Sequence, residues 1–321
     1  MADEHLALGA AREARPPVSP LAALAFGVAG ASTASIFIRY AQGYAPSLVI
    51  AAYRLGLATL LLLPLVLTWG RTSLRAMSRR QVWLTSLSGG FLAIHFATWI
   101  TSLQYTSVAS SVVLVSTAPL FVALLSRPVL HERISRHQVA GLSLALLGTM
   151  AIGLNDACAW MTGLHCPSAS QLVAGGAAKG DLLALVGALA IACYMLIGRQ
   201  LRSDVPLLPY ISLSYGSAAV VLVGTVLFLR LPFTGYPAAA YGWFALLALI
   251  PQLVAHSTYN WALRYLSAAY VSVTLLGEPV GSTLLAFLLL GERPGALKLL
   301  GGLLILVGIV IASRLDAPSE A

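Results

Sequence analysis

The chain has 321 residues, of which 9% are charged and 59% are hydrophobic, whereas about 25% of the residues in an average soluble domain are charged. This composition excludes a disordered chain, a coiled coil and a nucleic-acid-binding module, and it argues against a soluble enzyme, whose surface needs more charge. The formal net charge of +8 therefore belongs to a protein covered by lipid, in which basic residues set the orientation.

Ten apolar runs approach the ~20 residues that a helix needs to cross a bilayer. They predict an all-α integral membrane protein with ten transmembrane helices. The runs lie near 18–38, 46–69, 82–102, 107–126, 139–154, 180–198, 209–229, 241–263, 267–290 and 296–313. The fifth run is short. Residues 1–17 are expected to form a disordered cytoplasmic tail and residues 314–321 a second cytoplasmic tail.

The chain repeats itself after 160 residues. The residue pairs that coincide under this shift include Pro119 with Pro279, Glu132 with Glu292, Arg39 with Arg199, Gly141 with Gly301 and Gly148 with Gly308. We divide the chain into a first repeat, 18–154, an external loop, 155–179, and a second repeat, 180–313. Each repeat holds five spans, so the second must enter the membrane from the opposite face. Two inverted five-helix repeats are typical of secondary transporters.

The basic residues predict which face is cytoplasmic. Thirteen of the nineteen lie on the side of the N-terminus, five lie on the other side, and Arg54 lies within a span. By the positive-inside rule both termini are cytoplasmic, and the plasma (inner) membrane is the expected location.

The cysteines and the soluble-enzyme motifs give little indication of chemistry. Cys158 and Cys166 lie in the external loop, where oxidising conditions permit a disulfide, and two free thiols are the alternative. Cys193 is expected to be a small packing residue within a span. The sequence has no metal-ligand spacing, no glycine-rich phosphate loop and no nucleophile elbow, so we expect no enzyme activity, cofactor or metal.

The fourth span of each repeat carries a proline that is followed about a dozen residues later by a glutamate. The segments read STAPLFVALLSRPVLHER, with Pro119 and Glu132, and LGEPVGSTLLAFLLLGER, with Pro279 and Glu292. With the five-helix repeats, these motifs resemble the EamA family of the drug/metabolite transporter superfamily, over roughly residues 21–313.

Two shorter segments add to the resemblance. They are AAYRLG, with Arg54, and GDLLAL, with the pair Gly180-Asp181. One departure is His131, where the family usually has glycine, as at Gly291 in the second repeat. The resemblance implies transport of a small metabolite, often export of an amino acid or a related compound, without implying a particular substrate.

Arg54 and Glu278 are the only base and the only acid deep within a span. Counting 1.5 Å per residue, Glu278 lies ~17 Å and Arg54 ~18 Å from the cytoplasmic side of a core that is ~30 Å thick. Charged groups in spans are costly and are functional candidates by default. Either the two form a fixed structural pair, or they face the substrate path, where Arg54 would hold a carboxylate and Glu278 an amine or a proton.

Further polar and aromatic residues lie on one face of three spans and complete a predicted midplane cavity. These candidate substrate-binding residues are His95, Trp99, Gln252, Tyr259, Tyr270 and Thr274. For Trp99 the alternative is interfacial anchoring, and for His95 it is a buried histidine bonded to a neighbouring helix. Pro119 and Pro279 fall in mid-span and predict broken helices that act as hinges, or else static kinks.

The sequence thus predicts a secondary transporter that works by alternating access. Its expected partners are a small-molecule substrate and the lipid bilayer, with proton coupling through Glu278, and it acts as a monomer or a weak oligomer that binds no nucleic acid. The alternative is a passive channel or a non-transporting membrane subunit.

Overall fold

The computed structural model describes residues 16–106, 108–132, 134–157, 159–160, 164–165, 176–290 and 294–313. Within them the chain forms helices α1 (Pro20–Ala31), α2 (Ala34–Gln42), α3 (Ser47–Thr68), α4 (Arg71–Ala76), α5 (Arg79–Ser102), α6 (Val108–Val115), α7 (Ala118–Leu130), α8 (Arg136–Ala157), α9 (Gly176–Arg202), α10 (Leu207–Phe228), α11 (Ala238–Leu247), α12 (Ser257–Ala262), α13 (Ala268–Leu275), α14 (Glu278–Leu290) and α15 (Ala296–Ser313). A π-helix, Ala248–His256, joins α11 to α12. Two-residue strands, β1 (Ala159–Trp160) and β2 (Leu164–His165), pair antiparallel.

Most predicted spans coincide with helices that suit a bilayer. In the described part of the chain six helical stretches are long and apolar enough to cross a membrane, and a shorter apolar helix covers Ala296–Ala312. The six are Pro20–Gln42, Ser47–Thr68, Ser111–Leu130, Ala178–Arg202, Leu207–Phe228 and Ala238–Ala262. Helices also occupy the other three predicted spans, as α5, α8 and the pair α13 and α14. The helical membrane character is thus confirmed, while the number of ten spans stays a prediction.

Local signals set several helix starts. Ser78 and Gln81 form a capping box at the start of α5, and Ser135 and Gln138 exchange the same two hydrogen bonds at the start of α8. The helix at the fifth predicted span is therefore longer than the apolar run 139–154, because the cap starts α8 at Arg136 and the helix has 22 residues.

The boundary of the second repeat differs as well. Helix α9 begins at Gly176, four residues before the predicted start at residue 180, and the β1–β2 pair lies within the predicted loop 155–179. Cys158 and Cys166, most of the tail 1–17 and the whole tail 314–321 lie outside the described residues, so the disulfide and the tails stay predictions.

Three of the predicted spans are broken in the middle by two-residue turns. The turns are Ser32–Thr33, Ser116–Thr117 and Leu276–Gly277. In the last two, a proline is the second residue of the following helix, where its missing N–H leaves no helical hydrogen bond unmade. The first break was not expected from the run 18–38. There Ser32 and Thr33 turn their hydroxyl groups back onto backbone carbonyls, which competes with helical bonding.

The two repeats contact each other through pairs that the 160-residue shift exchanges. A Cβ atom on Gly141 would lie 2.4 Å from the carbonyl oxygen of Gly308, and one on Gly148 would lie 2.4 Å from that of Gly301. Adding 160 to Gly141 gives Gly301, and subtracting 160 from Gly308 gives Gly148, so the shift exchanges the two pairs, as expected for two-fold-related copies. Glycine is required here because α8 and α15 approach with their backbones in contact.

Candidate functional site

A cavity of about 90 Å³ lies where the three helix breaks meet. Residues from both repeats line it, among them Val115 and Ser116 from the break of the first repeat and Leu275 and Leu276 from that of the second. Ala31, at the end of α1, completes this group. The volume is several times the roughly 10–15 Å³ that a cavity needs to hold one water molecule. The cavity therefore has room for a small ligand with a few non-hydrogen atoms.

Arg54 lines this cavity from α3 and is almost completely buried, with 1% of its surface exposed. Its Nε donates a hydrogen bond to Oε1 of Gln252 over 2.8 Å, and its guanidinium lies 4.1 Å from the centroid of the Phe96 ring. Its Nη1 has no hydrogen-bond partner within the described part of the chain. The charge is therefore held by an amide and an aromatic face, and the N–H groups of Nη1 remain for a further acceptor.

Glu278 is the first residue of α14 and lines the same cavity. Tyr259 donates a hydrogen bond from its hydroxyl to Oε1 of Glu278 over 3.1 Å. The backbone carbonyl of Glu278 accepts a hydrogen bond of 3.2 Å from Ser32 at the break after α1. A carboxylate in the first turn of a helix is stabilised by the positive end of the helix dipole.

Arg54 and Glu278 do not form an ion pair. Among the described residues, the one ion pair with N and O within 4.0 Å joins Arg199 to Glu132. The cavity therefore contains a cationic and an anionic side chain that are each bound to a neutral partner. In this conformation the two side chains make no direct salt bridge, and their role as a structural pair or as substrate-binding groups stays a prediction.

His95 and Trp99 line the cavity from α5 with their rings stacked at a centroid distance of 5.7 Å. The Nδ1 atom of His95 lies 2.9 Å from the carbonyl oxygen of Gly187 in α9. Because a carbonyl only accepts, this nitrogen carries a proton, and in a neutral ring Nε2 is then an acceptor. His95 is thus bonded to a neighbouring helix and also faces the cavity, and its role as a ligand stays a prediction.

The other predicted binding residues lie outside the lining. Gln252 and Tyr259 lie behind Arg54 and Glu278 and hydrogen-bond to them. Thr274 bonds its hydroxyl to the backbone of Tyr270 and Val271. The predicted stripe of Tyr270, Thr274 and Glu278 requires a continuous helix, and the turn at Leu276–Gly277 interrupts it.

The structure also places the two prolines and the family motif Gly180-Asp181. Pro119 lines the cavity directly, whereas Pro279 lies outside the lining. Asp181 accepts a hydrogen bond of 2.7 Å from the hydroxyl of Thr106, and a Cβ atom on Gly180 would lie 2.7 Å from the Thr106 nitrogen. That motif joins the start of α9 to the first repeat.

Sequence reasoning missed several cavity residues. Phe96, Met195 and Ile191 are apolar and leave no signal within an apolar helix. His256 is not among the predicted binding residues, yet it lines the cavity and contacts Phe96 edge-on. The π-helix, which contains Pro251, rotates the side chains along it relative to their directions in an α-helix. This rotation offers a physical reason for the position of His256 in the cavity lining.

The profile of the EamA-like transporter family matches the chain twice, over residues 19–154 and 178–314. The chain belongs to the EamA-like transporter family. This confirms the resemblance noted in the two proline-glutamate motifs. The protein is accordingly an integral membrane transporter rather than an enzyme.

Relatives of this EamA protein include transporters from bacteria. It is 25% identical over 281 residues to the "Uncharacterized transporter YyaM" of Bacillus subtilis (strain 168), covering 86% of this chain and 87% of that one. It is 28% identical over 204 residues to the "Probable terminal-alkyne amino-acid exporter" of Streptantibioticus cattleyicolor, covering 63% and 62%. A solved crystal structure superimposes with a TM-score of 0.74 at 20% identity, over 94% of this chain and 100% of the other, and shares the fold.

Proposed function

We propose that this EamA protein is a secondary transporter that exports a small amphipathic metabolite, such as an amino acid or a related compound, across the plasma membrane. The observation that carries the proposal is the cavity, which is lined by both repeats and by the breaks of three helices. Broken helices around a central site are typical of carriers. The similarity to a relative named as an amino-acid exporter supports the substrate class and the direction.

The proposed mechanism is alternating access. The ten predicted spans form two inverted repeats, and one repeat rocks against the other so that the cavity opens to each side in turn. The glycine contacts between α8 and α15, which the repeat shift exchanges, support a two-fold arrangement around such a site. In this scheme Pro119 and Pro279 lie at the hinges, and a monomer or a weak oligomer contains the whole path.

The arginine distribution supports an orientation with both termini in the cytoplasm. Proton coupling through Glu278 is part of the proposal, because this carboxyl lines the cavity and carries no ion pair in the described part of the chain.

The test uses the purified protein in liposomes with a panel of labelled amino acids and amines, with and without a pH gradient. A carrier shows saturable exchange, in which unlabelled substrate on one side accelerates movement of label from the other side. Flux that does not saturate supports a passive channel, and absence of transport of every compound supports a non-transporting subunit. Unchanged transport and pH dependence in Glu278→Gln would contradict the proton role.

A further inference from the structure

Two hydrogen-bond donors beside the cavity lack an acceptor. Nη1 of Arg54 and Nε1 of Trp99 are buried and have no partner within the described residues, and both side chains line the cavity. A buried donor without a partner is costly, so it indicates a ligand or water that occupies the site in use. One donor is cationic and the other neutral, a combination suited to the oxygens of a carboxylate.

The cavity also has a negatively charged side chain, that of Glu278. Glu278 lines the same cavity and accepts a hydrogen bond from Tyr259. Arg54 makes no N–O contact within 4.0 Å with Glu278 and is hydrogen-bonded to Gln252, so both charged groups remain open to direct contact with an occupant. A ligand that carries both charges can provide each of these side chains with a direct partner.

We propose, on the basis of the proposed function, that the cavity binds the zwitterionic head of a small amino acid, with the carboxylate at Arg54 and Trp99 and the ammonium at Glu278. The cavity volume of about 90 Å³ suits such a head together with a short side chain. Apolar walls from Ile191 and Met195 lie beside it and provide room for the aliphatic carbons.

Gln252 is the positioning residue in this scheme. It is completely buried, and its Oε1 fixes the Nε edge of Arg54 and so turns the remaining guanidinium donors toward the ligand. Its counterpart under the 160-residue shift is Leu92, which is also completely buried. The fold therefore accepts a leucine at the equivalent place in the first repeat, and Gln252→Leu is a suitable test of positioning.

The experiment compares three probes of matched size, L-alanine, propionate and ethylamine, in binding to the purified full chain and in transport into liposomes. Binding is followed by the thermal shift of the protein. We expect L-alanine to bind and to be transported, and each single-charge analogue to bind at least about tenfold more weakly, since one charge-assisted hydrogen bond is lost. Equal binding of the three probes would overturn the proposal.

Three variants test which residues contact the carboxylate of the ligand and which contact its ammonium group. Gln252→Glu supplies Arg54 with an internal carboxylate, so L-alanine and propionate should both lose about tenfold in affinity, while ethylamine changes little. Glu278→Gln should instead reduce the preference for L-alanine over propionate. Gln252→Leu should raise KM for carboxylate probes with little change in kcat. Unaltered probe selectivity in all three folded variants would contradict the assignment.

The outcome separates this inference from the proposed function. Saturable transport of probes with either single charge would keep the transporter function and overturn the zwitterion site. Selective binding of L-alanine without transport would support the site and contradict the transporter function. If the protein neither binds nor transports any of the three probes but transports another compound of the panel, the zwitterion site is overturned and the transporter function is kept.

Discussion

Arg199 donates a hydrogen bond from its Nε to Oε1 of Glu132 over 2.8 Å, and this ion pair joins the second repeat to the first. The same guanidinium donates from Nη1 to the carbonyl oxygens of Leu263, at 2.9 Å, and Arg264, at 3.3 Å. One side chain thereby ties together the ends of α7, α9 and α12. In the predicted orientation all three ends lie at the cytoplasmic face.

Neutralising this pair should lower the stability of the folded protein. Glu132→Gln removes only the charge, and we expect a coupling energy with Arg199 of about 0.5–1 kcal/mol, because both side chains are about one quarter exposed. Arg199→Gln should cost more, because it also leaves the carbonyl of Leu263 without its donor. A double-mutant cycle on thermal unfolding in detergent measures both effects. Equal losses for the two single variants would contradict the bridging role.

Adjacent glycines in α5 should respond oppositely to substitution by alanine. A Cβ atom on Gly89 would lie 2.2 Å from the backbone oxygen of Ser214, whereas one on Gly90 would meet nothing within 4 Å. We expect Gly89→Ala to destabilise the protein by at least ~1–3 kcal/mol through overpacking. Gly90→Ala should be neutral or stabilising by up to ~1 kcal/mol through helix propensity. Melting temperatures in detergent check this, and similar values for both variants would argue against tight contact of α5 with α10.

His131 ends α7 in a left-handed conformation, with φ of 59°. A side chain at such a position costs roughly 1–2 kcal/mol relative to glycine, which explains the glycine that is usual in the family. We expect His131→Gly to raise the unfolding free energy by about 1 kcal/mol, with transport unchanged. His131→Ala serves as the control and should give no gain. A loss of transport in the glycine variant would show that the imidazole itself has a role.

The predicted orientation can be tested with single cysteines in a background without the three native ones. Arg75 and Thr234 are both exposed and lie in connections assigned to opposite faces. A membrane-impermeant thiol reagent added outside intact cells should label Thr234→Cys and leave Arg75→Cys unlabelled until the cells are opened. The reverse labelling pattern would overturn the positive-inside assignment.

Features that are local along the chain could be predicted from the sequence. Apolar length placed the helices, and Pro119 and Pro279 marked two of the three breaks, since a missing N–H acts within its own helix. The third break, at Ser32, was missed. Its hydroxyl bonds to Val28 in its own helix but also to Glu278, 246 residues away, and spacing within one helix carries no information about that contact.

The candidate site likewise combines residues that the sequence predicts with residues that only the tertiary structure reveals. Arg54 and Glu278 stand out in the sequence because ionisable groups are rare in spans, and both line the cavity. Which residues lie beside them depends on how each helix is rotated and where it is interrupted. The turn at Leu276–Gly277 removed Thr274 from the lining, and the π-helix is associated with the placement of His256 in it.

By itself the sequence determined the membrane class, the internal repeat and the two unusual charges, because these follow from composition, period and the cost of charge in lipid. Only the tertiary structure decided that Arg54 is bound to Gln252 and that Glu278 is bound to Tyr259, so that they are two separate charges in one cavity. The physical reason is that partners across helices are chosen by packing and hydrogen-bond geometry, which the linear order of residues does not specify.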